Sequence, residues 1–473
     1  VHQHLRTVLA AAATAALAGG ALTASAGTAV AAPAVGSDFN GDGYRDLAVG
    51  APNATVGGHA GAGAVVILWG SSAGVSPTRR TVFTQDTTGV PGVAEELDGF
   101  GTSVTSADLD GDGRTDLLVG SGRETVGTRQ GVGSVTVLWG GTRGFAGGAI
   151  LPQPTLREWA GFGQSIAAGD FVNSAAAEVT VACWDGAYHY QGPFTRAGVP
   201  ASRGWDGRLG STDDAVAGDL TGDGRPERVM LPGSVDGDAN GDVYVDRWTA
   251  SGAVRTELPN ADGIAGAVGD INHDGYGDLV LGAPYDPDAI SRGGHLGGQI
   301  SVWYGGPSGP STTQHPTVVH QDTAGVPGVG EAYDRFGSSV SVGDINGDGF
   351  ADVAVGAGNE GVSGRSGAGM VTVLYGSAAG LTTRNAAVYS QDTAGVPGST
   401  EPGDAFGLQV RLADLNGDGR AELSVGSPEE NGSGSLTVLR GTASGVGTTG
   451  AVSMLAKDAG VSGNAWFGQV LDR

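Results

Sequence analysis

The sequence predicts an all-β fold, a seven-bladed β-propeller of four-stranded antiparallel blades, and three observations predict it. A nine-residue acidic motif recurs along the chain at intervals of about 50–75 residues, as in propellers and repeat arrays. Short apolar runs separated by turn residues flank each copy. The 473 residues include 89 glycines with no Gly-X-Y period, which excludes collagen and suits many short strands joined by tight turns.

The best-formed copy is Asp344-Ile345-Asn346-Gly347-Asp348-Gly349-Phe350-Ala351-Asp352. Side-chain oxygens fall at positions 1, 3, 5 and 9, with a glycine at 6 for the sharp turn. The carbonyl at 7 can face inward, and Asp352 can close the shell with both oxygens. This is the first part of an EF-hand loop, shortened from twelve residues to nine, and all-oxygen donors point to Ca2+.

The predicted ligands are therefore Asp344, Asn346, Asp348 and Asp352 with the Phe350 carbonyl. They recur as Asp38, Asn40, Asp42 and Asp46 with Tyr44, and as Asp108, Asp110, Asp112 and Asp116 with Arg114. Two further copies are Asp270, Asn272, Asp274 and Asp278 with Tyr276, and Asp414, Asn416, Asp418 and Glu422 with Arg420. In Asp219, Thr221, Asp223 and Glu227, with Arg225, the threonine is a poorer ligand. Asp170, Val172, Ser174 and Glu178 have alanines where the turn glycine belongs and read as a plain turn. The expected cofactor is Ca2+ at about five to six sites. The cluster Asp236, Asp238, Asn240 and Asp242 reads as a hairpin tip, with an extra cation site as the alternative.

Formal net charge is −25, with much of the excess acid in these loops. So acidic a surface argues against nucleic acid or an anionic membrane as partner. The single cysteine, Cys183, lies in an apolar run and reads as a small buried hydrophobe, so no internal disulfide forms. Residues 1–32 have the pattern of a secretory signal: a weakly basic start, an alanine-rich apolar run from Val8 to Leu17, and an Ala-x-Ala site at 29–31. The expectation is a mature propeller over 36–473 that is secreted, extracellular or envelope-associated, with no transmembrane anchor after signal removal.

One repeat shows the unit. Phe336-Gly337 opens a strand over 338–342, the acidic loop follows, and Val353–Val355 forms the second strand. A polar hairpin leads to the third strand, Met370–Tyr375, and a turn leads to the fourth, Ala387–Tyr389. Phe100, Phe162, Phe336 and Phe406 each precede the first Asp of their loop by eight residues. Gly50, Gly120, Gly282, Gly356 and Gly426 each follow its last acid by four. The phenylalanines are expected between blades, and the glycines where backbones approach closely.

Phe-Gly at the start of a unit, with Gly-Ala-Pro after the loop (Gly50-Ala51-Pro52, Gly282-Ala283-Pro284), resembles the FG-GAP repeat. That repeat builds the propeller of integrin alpha subunits and occurs in exported bacterial proteins and in GPI-specific phospholipase D. The resemblance covers nearly the whole chain after residue 36 and implies calcium at the matching loops. The chain departs from it in the third and fourth repeats, which read as lacking Phe-Gly and as carrying damaged or weaker loops.

The chain enters at the Asp38 loop with no strand before it and ends on Trp466-Phe467-Gly468-Gln469-Val470-Leu471 with no loop after it. That segment is expected to supply the missing first strand and close the ring. Gln85–Gly92, Gln321–Gly328 and Gln391–Gly398 share the string Gln-Asp-Thr-x-Gly-Val-Pro-Gly and read as inter-blade connectors, with a repeated binding pocket as the alternative.

No catalytic constellation stands out. Gly70-Ser71-Ser72-Ala73-Gly74 matches a serine-hydrolase elbow, yet Gly376–Gly380 occupies the same place in another repeat, so both read as turns. His59, His189, His273, His295, His315 and His320 are scattered. Trp69, Trp139, Trp303, Tyr304 and Tyr375 recur at the end of the third strand, as packing residues or, if exposed, as sugar-stacking platforms. The expected function is an exported binding or adhesion module for an extracellular protein or carbohydrate. The alternative is a secreted hydrolase or lyase acting on polysaccharide or phosphoester.

Overall fold

The computed structural model describes residues 36–153, 157–174, 176–232, 243–287 and 294–472. The expected signal segment and the Asp236–Asp242 cluster lie outside the described residues. The described chain forms seven four-stranded antiparallel sheets, each a blade. From the axis outward, blade one is Val470–Leu471, Leu47–Ala51, Ala64–Leu68 and Arg80–Phe83. Blade two is Phe100–Ala107, Asp116–Ser121, Ser134–Leu138 and Gly148–Ile150; blade three is Ile166–Gly169, Glu178–Cys183, Gly186–Gln191 and Ser202–Asp206. Blade four is Thr212–Gly218, Glu227–Pro232, Val243–Thr249 and Gly252–Leu258; blade five is Ala265–Gly269, Asp278–Ala283, Gln299–Trp303 and Thr317–Val319. Blade six is Phe336–Gly343, Asp352–Ala357, Met370–Tyr375 and Thr382–Tyr389; blade seven is Gln409–Ala413, Glu422–Ser427, Ser435–Thr442 and Gly445–Leu455.

The innermost strands of successive blades pack side by side right round the ring. Closure is as the sequence predicts: Val470 and Leu471 pair with Gly50 and Val49, and the Asp472 N–H donates to the Ala48 carbonyl at 3.0 Å. The first and last strands of the chain thus protect each other's edges. The outer strand of blade six runs from Thr382 rather than Ala387, because polar residues past the apolar run still pair through their backbone, Tyr375 with Thr382. Among the described residues no helix is long and apolar enough to cross a membrane.

Blade packing explains the two invariant spacings. Second strands such as Leu47–Ala51 and Asp352–Ala357 are buried throughout, because a neighbouring blade covers each face. Phe100, Phe162, Phe336, Phe406 and Phe467 are fully buried, Phe336 packing against Val280 and Ile300 of one blade and Val353 and Val355 of the next. A Cβ on Gly50, Gly120, Gly282, Gly356 or Gly426 would run into the carbonyl oxygen of the next blade's Phe-Gly glycine (Gly101, Gly163, Gly337, Gly407 or Gly468). The two glycines of the repeat therefore face each other across each of these junctions. Blade three keeps the pair as Phe162-Gly163, whereas Ser211 and Asp262 stand in the phenylalanine's place in blades four and five. Cys183 is buried beside Phe162, and burial pushes its thiol up to about 12.

Strand direction sorts the loops onto two faces. In blades two to seven each inner strand runs from an inter-blade connector to an acidic loop, so the acidic loops share one face with the turns between third and fourth strands. The connectors share the opposite face with the long hairpins between second and third strands.

Candidate metal centres

Each acidic loop is rooted by the apolar residue at its second position. Phe39, Leu109, Phe171, Leu220, Ile271, Ile345 and Leu415 are all buried. In all seven loops the N–H of that residue donates to the carboxylate at position 9, at 2.7–3.0 Å. Where position 9 is aspartate, its other oxygen accepts the N–H of a glycine after the third strand: Gly70, Gly140, Gly305 or Gly376, at 2.7–3.0 Å. Glutamate is one methylene longer and reaches back into the loop instead. Glu422 accepts from Asn416 Nδ2 at 2.6 Å, Glu227 from Thr221 Oγ1 at 3.2 Å, and Glu178 from Ser174 Oγ at 3.3 Å. Position 9 is thus a latch between strands as well as a candidate ligand, and each oxygen keeps a further lone pair.

Position 1 holds the turn. Asp38, Asp108, Asp219, Asp270, Asp344 and Asp414 each accept the N–H of the position-6 glycine at 2.7–2.9 Å. Those glycines sit at φ of 83–90°, which costs a side chain-bearing residue strain. The oxygens of Asn40, Asn272, Asn346 and Asn416 accept the N–H of position 5, at 2.8–3.0 Å. These local bonds curl the side-chain oxygens inward before any ion binds.

In blade two, oxygens of Asp108, Asp110 and Asp116 lie within 4.8 Å of one another. Asp112 lies outside that set and pairs with Arg196 Nη2 at 2.6 Å, while Arg196 Nε meets Asp110 at 2.7 Å. In blade four Arg225 pairs with Asp223. Burial pushes Asp46, Asp116, Asp352 and Glu422 up to about 7, and Asp278 and Glu227 up to about 6. The other carboxylates of each loop push the same way, against the backbone N–H donors. Buried, mutually repelling oxygen ligands with no soft donor among them fit a hard divalent cation such as Ca2+.

Side chains at position 7, expected to matter only through their carbonyls, tie neighbouring loops together. Arg420 Nε donates to the Asn346 carbonyl at 3.3 Å, and Phe350 meets His273 edge-to-face at 5.8 Å between ring centres. Tyr44 lies over Gly417, and Tyr276 over Gly222.

On the opposite face the shared connectors hold the blades in register. Gln85, Gln321 and Gln391 donate through Nε2 to Glu124, Glu360 and Glu430 of the following blade, at 2.7, 2.5 and 2.5 Å. Ser71 Oγ donates to the Gly74 carbonyl and Ser377 Oγ to Gly380, so both glycine-serine strings are turns. Trp139 and Trp303 are buried and form no sugar platform. Two features escaped the sequence. Leu97, Trp159 and Tyr333 occupy one repeat position, three residues before the phenylalanine, and are 53%, 65% and 74% exposed. His295 and His320, 25 residues apart in sequence, stack on each other.

Five stretches match the FG-GAP repeat model: 29–68, 100–138, 263–303, 336–374 and 406–439. The chain carries five FG-GAP repeats within a seven-bladed β-propeller. The matches fall on blades one, two, five, six and seven and pass over the two blades with damaged or weaker loops. Among curated relatives, this propeller is 30% identical to integrin alpha-PS2 of Drosophila melanogaster over 221 residues, which is 45% of this chain and 15% of that protein. It is 35% identical to the phosphatidylinositol-glycan-specific phospholipase D of Homo sapiens over 170 residues, 35% of this chain and 18% of that one. It is 33% identical to integrin alpha-3 of Cricetulus griseus over 166 residues, 35% of this chain and 14% of that one. The match thus spans less than a fifth of each relative.

Proposed function

We propose that this propeller is an exported, calcium-stabilised binding module whose ligand, an extracellular protein or glycan, docks on the connector face. The observation that carries the reading is the triplet Leu97, Trp159 and Tyr333. Each is a large apolar side chain exposed at the same repeat position, and each is held at positive φ (67°, 58° and 72°). Bulky residues in that region are strained, and strain kept at an exposed position supports a use for that surface. The relatives named as integrins support the same reading.

Calcium belongs to the other face. Asp344, Asn346, Asp348, Asp352 and the Phe350 carbonyl would hold one ion, and the matching residues of blades one, two, five and seven would hold the others. The bound ion would supply positive charge that neutralises the converging carboxylates and fixes the turn between the two inner strands of its blade. Export to a calcium-rich compartment is part of the proposal.

The test pairs two measurements. The L97S/W159S/Y333S variant should lose the ligands that the wild-type chain captures from a glycan array or an extracellular-protein panel, while its melting temperature holds. Unchanged capture would move the binding surface elsewhere.

A further inference from the structure

Blade five differs from its sister repeats at three positions that meet in space. The first is His295, at the foot of the long hairpin, where blades one, two, six and seven carry Ala60, Gln130, Ser366 and Asn431. The second is His320, at the start of the connector, where the matching connectors carry Thr84 and Ser390. The third is Gly330, where they carry Ala94 and Thr400. Hairpin and connector converge because the latter must cross to Phe336, whose N–H donates to Gly297. The two imidazoles end parallel, with ring centres 3.5 Å apart. Asp322, two residues beyond His320, brings its Oδ2 to 3.5 Å from His295 Nε2. A Cβ on Gly330 would run into the Leu296 carbonyl oxygen at 2.6 Å and stand 3.2 Å from Asp322 Oδ2, so a side chain there would crowd the cluster.

We infer that His295, His320 and Asp322 form a site for a borderline divalent transition-metal ion of the Zn2+ type, separate in place and chemistry from the acidic loops. One donor atom from each of the three lies within 4.8 Å of the others. Four-coordinate Zn2+ takes imidazole nitrogens at about 2.0–2.1 Å and carboxylate oxygens at about 2.0–2.2 Å. The two rings must open out of their parallel stack, and the triad close, for all three to come into range. His295 Nδ1 donates to the Leu296 carbonyl at 2.9 Å, which fixes the tautomer and leaves Nε2 as the free lone pair. An imidazole anchored by a backbone carbonyl on one nitrogen is the usual arrangement of a metal-ligating histidine. His320 Nδ1 is buried with no hydrogen-bond partner, an arrangement that a ligand ion would relieve. Asp322 Oδ1 is anchored by the Gly330 N–H at 3.1 Å. The His295 and Asp322 side chains are 30% and 40% exposed, so an ion can enter from solvent and keep water in its remaining position.

The two metal classes separate by donor chemistry. Carboxylate and carbonyl oxygens suit Ca2+, whereas two imidazoles and one carboxylate suit Zn2+, Co2+, Ni2+ or Cu2+. The test uses tag-free protein with Ca2+ in excess, so that the acidic loops are saturated, and titrates in Co2+ alone. One equivalent should develop a visible absorption band, and Zn2+ should abolish it by displacement. His295→Ala and His320→Ser install residues that sister repeats carry at these places, so both variants should melt like the parent in Ca2+. Each should lose the band. Absence of any band at one equivalent, or a band that survives in both folded variants, overturns the assignment.

Discussion

Blades three and four pair buried acid with the chain's own arginines, whereas the position-9 acids of the acidic loops are met by backbone and side-chain hydrogen-bond donors. Burial with repulsion from the other loop carboxylates pushes the position-9 acids upward in every blade, Glu178 and Glu227 of blades three and four included. At the junction of blades three and four the acids are paired. Arg228 bonds Asp246, and Arg255 reaches both Asp246 (2.7 Å) and Asp206 (2.8 Å). Burial pushes Asp246 the other way, yet Arg255 and Arg228 hold it below the usual carboxylate range. His189 beside them is pushed down to about 3 by burial and by the Arg228 charge, so it stays neutral and accepts from Arg228 through Nδ1. Phe171, at the second position of the damaged loop, stacks on Trp248, over which Arg228 also lies. Where the loop lost its ligands, an arginine–aromatic–carboxylate network occupies the neighbouring ground. On the proposed reading, one architecture neutralises acid from within at this junction and from solution at the acidic loops, and the two regions should then answer to different solution conditions.

Chelation should break the comparison open. A site at tenfold its Kd contributes about 1.4 kcal/mol, so five sites contribute about 7 kcal/mol, comparable with the entire net stability of many domains. Excess EDTA should therefore lower the melting temperature sharply. Identical melts with and without chelator would remove cations as structural elements. Asp246→Asn comes next in size. It leaves Arg228, only 7% exposed in its side chain, without its counter-charge, at a cost of about 3–5 kcal/mol. That loss should be the same in Ca2+ and in EDTA, because no acidic-loop ligand is touched.

A finer cut is Asp348→Ala in blade six. The substitution removes one ligand and an exposed acceptor for the Phe350 N–H at 3.0 Å. In Ca2+ it should cost about 1–2 kcal/mol, and most of that difference should vanish in EDTA. A cost that persists unchanged in chelator would make the loop a hydrogen-bonded turn whose stability owes nothing to an ion.

Much of this was legible because repetition exposes it. Blade number, ring closure by Val470–Leu471, the buried phenylalanines and the facing glycines all follow from fixed spacings, since an identical offset in several repeats can only be a packing constraint. The candidate ligand set is proposed from the same kind of offset. The latch role of position 9 was not legible, because its partners Gly70, Gly140, Gly305 and Gly376 lie 24–27 residues downstream and donate through the backbone, which leaves no trace in residue type. His295 and His320 escaped for the opposite reason: they occur once, so no repeat flags them, and only the crossing of hairpin and connector brings them together. The Arg228–Asp246–Arg255 network was hidden likewise, its members being ordinary charges on adjacent strands.

The smallest expected effect concerns the connector face, where the same contrast between paired and unpaired acid recurs at lower stakes. Burial pushes Glu124 and Glu360 up to about 7, with Asp98 and Asp334 adding to it and the Gln85 and Gln321 amides opposing it. Glu430 is raised for the same reasons. The Oε1 atoms of Gln85, Gln321 and Gln391 are buried without a donor. A carboxylic acid can donate to such an oxygen where a carboxylate can only accept. Because the folded state holds these protons more tightly than the unfolded chain, the stability they contribute is present below the ordinary glutamate range and is lost as pH rises through about 7. Glu360→Gln supplies a permanent amide donor in place of the proton. The variant should match the wild type at pH 5 and exceed it at pH 8 by about 1 kcal/mol, a figure reduced for partial exposure. The difference should be equal in Ca2+ and EDTA. A gain at pH 8 that appeared only in Ca2+ would instead couple the connector face to the acidic loops, and the two faces would no longer be independent.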